Sequence, residues 1–579
     1  MEIDFLSILD DKNSIKNETT EEIVITVPIL QTDVKYKIDA SCKISSNCNT
    51  IIKSKNFEIL ASFVHFSNIS FQTSICVKDA KNFSMYNCTV NDAKSAYGAI
   101  SIQNSQNVLL ANVEIEKTDS IPGLFVYQNS IVAAEFLSIH DLAETLIAIN
   151  GNSSLMISNS NLHHSLANAF FVSDHSCIEI SNCEISHTSY PSLYVRNSQC
   201  IVRSNVFHTT SENAISLHSS YNFCIEMNTI TSIDDTGIRI SDESSGVIDS
   251  NTICNIKGNG IYCNNSDVQI NDNQIFNLTY PSIAITSKSR ATLSKNNVHN
   301  ISYSGICVRG AKNVVIESNF IDDIKESGIS ISDTDICIVK SNRITNCLIN
   351  SVEVYNKSKV HIHKNNILHI GEQAFLVHTL GYMKVENNYI EDVKNEMAKL
   401  MFKGTGDFIN NKISKCPKLN EIQSSLSFYF YENGDFGNVT NDPSRINSKN
   451  PKPIDLDSKR CIDHNHVELC MKCKQKDRDC YILDCGHKVY CQKCADSALK
   501  NKEKCPLCRF PIVKVSTGFG VSSEDLCTIC FENKADSIIL PCGHIGVCCK
   551  CLEKWFSYKQ ICPICRVEPC HSRLLSYDI

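Results

Sequence analysis

Residues 237–259 read GIRISDESSGVIDSNTICNIKGN, and residues 260–281 repeat the pattern as GIYCNNSDVQINDNQIFNLTYP. In the first stretch, Ile238 and Ile240 are separated by Arg239. Because successive side chains of a β-strand point to opposite faces, the two isoleucines share one face and Arg239 lies on the other. Each stretch therefore predicts a short strand that is followed by further strand and turn segments.

The same pattern recurs along much of the chain. An apolar column runs from Leu124 to Phe375 in steps of 22 or 23 residues, and a second column runs two positions later, from Val126 to Val377. A third column consists of asparagines with the same spacing: Asn159, Asn182, Asn205, Asn228, Asn251, Asn273, Asn296, Asn319, Asn342, Asn365 and Asn387. A fixed period of this kind predicts that equivalent residues stack on one another.

We interpret the repeat as a parallel β-coil in which each turn pairs with the next. Stacking at about 4.8 Å per turn makes the twelve clearest repeats a rod of roughly 55–60 Å. We expect asparagine at the bends because it tolerates left-handed backbone geometry and because stacked side-chain amides hydrogen-bond between turns. Leucine-rich repeats share this period, but their Leu-x-x-Leu-x-Leu signature is missing.

The columns resemble the right-handed parallel β-helix of the pectate-lyase type, including the version that recognises substrates in some F-box ubiquitin-ligase subunits. The resemblance implies an all-β coil over 61–415, with an N-terminal cap region at 1–60 and a C-terminal cap at 416–436. Residues 437–460 lose the periodicity and carry three prolines, which predicts a linker.

The outward positions of the first strand in each repeat bear on activity. Sugar-cleaving coils need two carboxylates at the substrate, and of these positions only Glu353 is acidic. An aromatic and basic stripe predicts instead a surface that binds a protein target, with the candidates Tyr194, Arg196, Arg239, Tyr262 and Arg309. The alternative that these side chains reflect strand propensity alone stays open.

Cysteine usage divides the chain. Of the 32 cysteines, 18 lie between Cys461 and Cys570, and the other 14 are spread singly, as expected for small apolar fillers. One cluster has the order Cys470, Cys473, Cys485, His487, Cys491, Cys494, Cys505 and Cys508. The other repeats it 57 positions later as Cys527, Cys530, Cys542, His544, Cys548, Cys551, Cys562 and Cys565. A Cys-x2-Cys pair brings two thiolates to one ion, so each cluster predicts two tetrahedral zinc sites and the chain four zinc ions.

This order of ligands resembles the RING finger, with RING finger 1 at 461–512, a linker at 513–526 and RING finger 2 at 527–579. In that family the ligand pairs alternate between two ions. The resemblance implies one ion at Cys470, Cys473, Cys491 and Cys494, and one at Cys485, His487, Cys505 and Cys508. In finger 2 it implies one ion at Cys527, Cys530, Cys548 and Cys551, and one at Cys542, His544, Cys562 and Cys565.

RING fingers that act with ubiquitin-conjugating enzymes present a shallow apolar groove beside the zinc loops. The resemblance implies that this groove is formed in finger 2 by Ile529, Trp555, Pro563 and Arg566. Finger 1 has Lys472 and Ala498 in place of the isoleucine and the tryptophan, which puts its own groove in doubt.

Composition narrows the compartment and the partners. The N-terminus lacks the basic and apolar segments of a secretory signal, and no apolar run approaches the roughly 18 residues of a membrane span. We therefore expect a cytoplasmic or nuclear protein with no membrane partner, in which clustered cysteines bind metal rather than form disulfides. A net charge of -8 is not that of a general nucleic-acid binder, so no nucleic-acid partner is expected.

These features predict a RING-type ubiquitin ligase. Its coil recognises a protein target, and RING finger 2 recruits a ubiquitin-conjugating enzyme charged with ubiquitin. No residue is expected to form a covalent intermediate, because such fingers act by positioning the reactants. Two alternatives stay open: a zinc-organised interaction scaffold without ligase activity, and a β-helix carbohydrate-active enzyme with a regulatory zinc tail.

Overall fold

The computed structural model describes residues 2–9, 14–17, 22–94, 97–118, 120–378, 380–401, 405–416, 428–431, 470–473, 480–482, 488–504, 512, 515–516, 519–520, 537–540, 544–556 and 571–574. The chain divides into two compact units, Met1–Pro443 and Ser444–Ile579, which are described separately. The predicted linker at 437–460 lies outside the described residues.

A single turn of the coil explains how the repeat folds. Three short strands, Leu193–Arg196, Gln199–Arg203 and Val206–Thr210, follow one another around the turn. Each pairs in parallel with its equivalent in the next turn, so that Leu193 lies opposite Ile215. The first strands of all turns form an 18-stranded sheet, and the second and third strands belong to a sheet of 36 strands. The predicted all-β parallel coil is confirmed.

The strands fall into three columns along the coil. The first strands are Glu2–Asp4, Lys35–Ile38, Asn56–Ile59, Ile75–Lys78, Ile100–Gln103, Leu124–Tyr127, Ile147–Ile149, Phe170–Val172, Leu193–Arg196, Ile215–His218, Ile238–Ser241, Ile261–Asn264, Ile283–Thr286, Ile306–Arg309, Ile329–Ser332, Val352–Tyr355, Phe375–His378 and Ala398–Met401. The second strands are Glu22–Ile25, Cys42–Ser46, Val64–Ser67, Ser84–Asn91, Val108–Glu116, Ile131–Glu135, Ser154–Ser158, Cys177–Ser181, Gln199–Arg203, Tyr221–Glu226, Ser245–Asp249, Asp267–Asn271, Arg290–Ser294, Asn313–Glu317, Ile336–Lys340, Lys359–His363, Tyr382–Glu386, Thr405–Ile409 and Phe428–Tyr431. The third strands are Ile29–Gln31, Ile51–Lys53, Ser70–Gln72, Ser138–Leu142, Asn161–Ser165, Glu184–Thr188, Val206–Thr210, Thr229–Ile233, Thr252–Ile256, Gln274–Leu278, Asn297–Ile301, Phe320–Ile324, Arg343–Cys347, Asn366–Ile370, Tyr389–Val393 and Lys412–Ser414. Ser84–Asn91 and Val108–Glu116 continue into the third position, and Ser14–Asn17 pairs antiparallel with Glu22–Ile25.

Inward side chains form one continuous apolar core. Every member of the two predicted apolar columns is fully buried. Since burial of one such side chain contributes about 1.5–3 kcal/mol, the coil is held by many similar contributions. At the N-terminal end, Phe5 of the 3-10 helix Phe5–Ile8 packs edge to face on Tyr36 and Phe57, with ring centroids 5.0 and 4.8 Å apart.

A ladder of buried asparagines follows the second strands. Asn228 Oδ1 accepts hydrogen bonds from both the backbone N–H and the Nδ2 of Asn205, each at 3.0 Å, and Asn251 does the same for Asn228. The ladder continues through Asn273, Asn296, Asn319, Asn342, Asn365, Asn388 and Asn411. Stacked side-chain amides therefore link successive turns, as the repeat predicts.

Three members of the predicted asparagine column are one position off the ladder. Asn159, Asn182 and Asn387 are residues with positive φ, at 51°, 52° and 56°, and the next residue in each turn takes the ladder position. For two of them that next residue is Ser160 or Cys183, both buried. The prediction that ladder asparagines themselves adopt left-handed geometry is also wrong. The residue before them turns the chain, and the turn directs the following side chain inward.

The third strands break strict alternation. In Asn161–Ser165, Leu162 and Ser165 are buried, whereas His163 and His164 both face outward. His164 has a φ of 55°, and the equivalent residue of most other turns also has positive φ. One left-handed residue thus gives most of the five-residue third strands two adjacent outward side chains, which a period of two does not predict.

Parallel pairing extends beyond 61–415 on both sides. Tyr36 pairs with Phe57 and Phe57 with Ile75, at intervals of 21 and 18 residues. A search for a period of 22 or 23 does not detect such turns, so part of the segment predicted as an N-terminal cap is coil. Past the other boundary, Phe428–Tyr431 pairs in parallel with Thr405–Ile409.

The second unit consists of short strands and two helices in the parts that the structure describes. Lys488–Tyr490, Cys480–Ile482 and Val515–Ser516 form one sheet, followed by Phe519–Gly520, His544–Val547, Ser537–Leu540 and His571–Leu574 in another. The helices are Gln492–Lys500 and Cys549–Phe556. Neither these nor any other helix in the described parts of the chain is long and apolar enough to cross a membrane.

Candidate metal centre and recognition surfaces

Four cysteines of the second unit converge on one point. The sulfurs of Cys470, Cys473, Cys491 and Cys494 all lie within 4.8 Å of one another, and those of Cys473 and Cys491 are 3.8 Å apart. Sulfurs bound at about 2.3 Å to one tetrahedral ion are about 3.8 Å apart. The structure therefore brings the first Cys-x2-Cys pair of finger 1 together with the third pair, which is the alternating arrangement.

Local secondary structure positions these sulfurs. Cys470 is buried and begins a tight turn that ends at Cys473. Cys491 has an extended backbone and precedes the helix Gln492–Lys500, so that Cys494 lies in its first turn. The positive end of the helix dipole favours thiolates there. The helix in turn packs on the strands through buried Ala495 and Ala498.

The four thiols compete for ionisation. Burial raises the pKa of Cys470. Hydrogen bonds from the backbone N–H groups of Cys473 and Cys491 contribute to a larger lowering, so the net pKa lies below the usual range. Burial and hydrogen bonds with the three neighbouring thiols raise the pKa of Cys494. A divalent cation between the sulfurs would allow all four to be thiolates, and a site of four sulfurs suits zinc.

Finger 2 repeats this local arrangement where it is described. Cys548 is buried before the helix Cys549–Phe556, and Cys551 lies in its first turn. His544 belongs to the strand His544–Val547. The other predicted ligands, namely Cys485, His487, Cys505, Cys508, Cys527, Cys530, Cys542, Cys562 and Cys565, lie outside the described residues.

The two fingers differ at the predicted groove. Trp555 is only partly buried on the helix Cys549–Phe556, whereas its counterpart Ala498 is fully buried. In finger 1, Lys472 takes the position that Ile529 has in finger 2. Its Nζ lies 2.6 Å from Glu503 Oε1, so this position carries an ion pair instead of an apolar side chain. Ile529, Pro563 and Arg566 lie outside the described residues.

The coil carries a groove on its first-strand face, with a volume of about 600 Å³. Of the predicted stripe, Tyr194 and Arg239 line it. The ring of Tyr194 stacks on Phe171 with centroids 5.4 Å apart and contacts His218 at 5.0 Å. The groove therefore has a continuous aromatic floor, bounded at one end by a guanidinium group.

The other three stripe residues, Tyr262, Arg196 and Arg309, do not line this groove. The guanidinium of Arg239 lies 5.4 Å from the ring centroid of Tyr262, a cation–π distance that holds the arginine against the sheet. Arg196 and Arg309 are exposed on the same sheet and are not among the residues that line the groove. The structure thus brings together three of the five predicted residues.

Sequence reasoning missed a second carboxylate near Glu353. This carboxylate is Glu326, whose pKa is raised by burial and then by the charge of Glu353. Glu326 lies in the turn before a strand, and strand alternation says nothing about turn residues. Glu353 Oε2 accepts hydrogen bonds from Ser327 at 2.8 Å and from Asn350 at 3.2 Å. Because these neighbours hold Glu353, we interpret the pair as part of the sheet surface rather than as an acid and base facing a substrate.

Comparison with known proteins defines the class of both units. Residues 145–290 and 249–390 match the family described as right handed beta helix region, and residues 466–515 and 523–571 match the zinc finger of C3HC4 type, the RING finger. The chain is a right-handed parallel β-helix followed by two C3HC4 RING fingers. Since the RING finger is a zinc-binding module, the second unit binds zinc.

Curated relatives match over the length of about one finger. RING finger protein 141 of Danio rerio is 44% identical over 48 residues, which are 8% of this chain and 21% of that protein. The Homo sapiens protein of the same name is also 44% identical over 48 residues, 20% of its length. E3 ubiquitin-protein ligase APD4 of Arabidopsis thaliana is 37% identical over 54 residues, 9% of this chain and 14% of that one. The chain spans only about a fifth or less of these relatives.

Solved structures resemble the coil weakly. The periplasmic alginate epimerase AlgG aligns with 63% of this chain and 77% of its own, at 11% identity and a TM-score of 0.28. The A-module of mannuronan C-5 epimerase AlgE4 from Azotobacter vinelandii aligns with 53% and 88%, at 12% identity and a TM-score of 0.29. Scores and identities this low carry no argument about activity.

Proposed function

We propose that this protein is a RING-type ubiquitin ligase. In this proposal the coil holds a protein target, and RING finger 2 recruits a ubiquitin-conjugating enzyme charged with ubiquitin. The observation that carries it is the convergence of Cys470, Cys473, Cys491 and Cys494 in the alternating RING arrangement. In finger 2, the described cysteines Cys548 and Cys551 stand at the start of the helix that bears Trp555, as Cys491 and Cys494 do in finger 1. The likeness of a segment to a named ubiquitin-protein ligase supports it.

The zinc ions in this proposal are structural. Two ions per finger, four in the chain, would each be held by four protein ligands, so no coordination position is left for water or substrate. What the metal supplies is folding energy for loops too short to form an apolar core. The finger then acts by positioning, since it holds the charged conjugating enzyme near a target lysine and adds no covalent step.

Finger 2 is the recruiting finger in this proposal. A partly buried tryptophan offers a large apolar contact of the kind enriched in binding hot spots. Finger 1 has a buried alanine at the same helix position, and its Lys472 is paired with Glu503 at 2.6 Å. Docking an apolar surface there would strip water from this ion pair, which is unfavourable.

The target-binding face is assigned to the groove that Tyr194 and Arg239 line. Its aromatic floor supplies contact area with few rotamers to freeze, and its lining holds both the cation of Arg239 and the carboxylates of Glu212 and Asp235. Several turns contribute to the floor at about 4.8 Å each, so an extended chain segment fits along it. The proposed compartment is the cytoplasm or the nucleus.

Autoubiquitination of the full-length, zinc-loaded chain tests this proposal. The chain is incubated with purified activating enzyme, a panel of conjugating enzymes, ubiquitin and ATP, and modified forms are resolved by mass. We expect ubiquitin on lysines of the chain with at least one conjugating enzyme. Absence of transfer with every conjugating enzyme, from protein that holds its zinc, would favour the scaffold alternative.

A further inference from the structure

The third-strand face of the coil carries a concentration of histidines, which we call the histidine ladder: His140, His163, His164, His187 and His208. They come from four successive turns, through the strands Ser138–Leu142, Asn161–Ser165, Glu184–Thr188 and Val206–Thr210. Register places His140 directly opposite His163, with Ser186 and then His208 in the following turns. His164 and His187 occupy the adjacent outward position, which the left-handed backbone creates. Five imidazoles thus share one surface.

The rings are in mutual contact. His140 stacks on His163 with centroids 4.9 Å apart and planes 2° from parallel, and His164 stacks on His187 at 4.4 Å. Across the ladder, the Nδ1 atoms of His163 and His164 lie 2.7 Å apart. Two imidazole nitrogens at that distance have to share either a proton or a cation between their lone pairs.

Carboxylates flank the ladder and orient its ends. His140 Nε2 lies 3.3 Å from Glu114 Oε1, and His208 Nε2 lies 3.1 Å from Glu184 Oε1. Metal-binding histidines commonly have such carboxylate partners around them, because these fix the ring orientation. Among the described residues, no ion pair joins the central His163 and His164 to a carboxylate, and their facing nitrogens are directed at each other.

We propose that His163 and His164 bind a divalent transition-metal ion such as Ni²⁺ or Zn²⁺ as a two-ligand site, since the neighbouring carboxylate of Asp141 is already engaged by His140 Nδ1 at 2.9 Å. Imidazole nitrogens are good ligands for this class of ion. Ligands bound at about 2.0–2.1 Å in a tetrahedral site are about 3.3 Å apart, so a small rotation of the two rings opens the present 2.7 Å contact enough to admit the ion. The site is separate from the RING cysteines and would hold metal on the outside of the coil.

A second histidine pair provides a matched comparison. His361 and His363 lie two positions apart on one second strand, with ring centroids 4.5 Å apart. Their geometry differs, because His361 Nε2 already contacts Glu386 Oε1 at 2.6 Å and the carboxylate also pairs with Lys384. His361 is therefore already engaged within the protein, and we expect this pair to bind a metal ion more weakly.

The test titrates Ni²⁺ into full-length protein that is loaded with zinc and then dialysed, with the heat of binding as the readout. We expect one ion per chain. We expect His163→Gln with His164→Gln to lower the affinity at least tenfold, and His361→Gln with His363→Gln to leave it unchanged. Unchanged affinity in the first variant, or loss in the second, overturns the proposal.

A spectroscopic measurement covers the case in which the double variant does not fold. One equivalent of Cu²⁺ is added to the zinc-loaded wild-type chain, and the nitrogen hyperfine pattern of its electron paramagnetic resonance spectrum is counted. At least two nitrogen ligands are expected, and fewer than two overturns the proposal. The single variants His163→Gln and His164→Gln should each remove one nitrogen from that count.

Discussion

The coil and the RING tail use cysteine in opposite ways. Cys263 in the coil is stacked between Ile240 and Ile285 and is fully buried, and this desolvation alone raises the pKa of its thiol. Cys470 in the tail is also buried, but backbone N–H groups and three neighbouring sulfurs surround it, and the pKa of its thiol is lowered. The neighbours of a cysteine, rather than its burial, therefore decide whether it is an apolar filler or a metal ligand.

The same contrast separates two sources of stability. All 14 cysteines of the coil are free thiols, and the coil depends on repeated apolar burial and on hydrogen bonds between turns. Among the residues of the tail that the structure describes, the apolar cluster is much smaller, and the cysteines themselves take part in it. We therefore expect metal binding to supply much of the stability of the tail.

The largest expected effect is that of removing zinc. Chelation should unfold residues 470–556 and leave the coil folded, because zinc binding is worth roughly 10–16 kcal/mol to such a finger and nothing to an apolar core. Hydrogen exchange read by mass spectrometry checks this, with protection lost in the tail and kept over 124–393. Chelator saturated with zinc is the control. Two or fewer zinc ions per folded chain, by metal analysis, would contradict the double cross-brace.

The next largest effect concerns ligase activity within the tail. Ile529→Ala or Arg566→Ala should abolish most ubiquitin transfer while zinc content stays the same, because neither side chain is a predicted ligand. Lys472→Ala in finger 1 is the matched control and should change transfer little. If Lys472→Ala were the more damaging substitution, finger 1 would be the recruiting finger.

The asparagine ladder provides a test of the coil. Asn296→Ala should destabilise it by about 3 kcal/mol, because the buried backbone N–H of Asn273 loses its acceptor, Asn296 Oδ1, and the carbonyl of Ile270 loses a donor, Asn296 Nδ2. Asn297→Ala, one residue on and only half-buried, should cost less than about 0.5 kcal/mol. Denaturant unfolding measures both. Equal effects from the two substitutions would mean that the ladder is not a source of stability.

The smallest expected effect is on target capture. Arg239→Ala together with Tyr262→Ala should weaken binding of a target to the coil by about 1–3 kcal/mol if these are hot spots. Folding and autoubiquitination should be unaffected, since both side chains face outward. Arg343→Ala with Phe320→Ala removes a similar cation–π pair from the third-strand face and serves as the control. A pulldown in which both variants capture targets as well as the wild type would place the binding site elsewhere.

Regularity decided how much of the fold the sequence could predict. From Leu124 to Phe375 the interval is nearly constant, and the inward columns follow from it without error. Between Tyr36 and Ile75 the intervals shorten to 21 and 18 residues, so a fixed period of 22 or 23 does not detect that the coil continues there. The predicted asparagine column is wrong at positions where it is one residue too early. At Asn387 and Asn388, for example, two asparagines are adjacent, and the sequence does not show which of them belongs to the ladder.

The candidate sites divide in the same way. The spacing of cysteines specifies which residues can share an ion, and the convergence of Cys470 with Cys491 across the intervening chain agrees with it. The groove on the first-strand face was only partly predictable. Alternation predicts that Phe171, Tyr194 and His218 all face outward, but it does not predict that their rings contact one another between turns. The carboxylate of Glu326 was not predicted because Glu326 lies in a turn. Strand alternation does not describe turn geometry, and here the turn places the carboxylate near Glu353.

The sequence by itself determined the parallel coil and the two zinc-binding clusters, because constant repeat length and fixed ligand spacing are direct records of stacking and coordination. The tertiary structure alone decided which outward side chains meet. The histidine ladder depends on a left-handed residue such as His164 that turns two neighbours to one side, and on register that stacks His140 on His163. Residue type says little about whether φ is positive or negative at a given position. The contacts between these rings are therefore visible only in the folded chain.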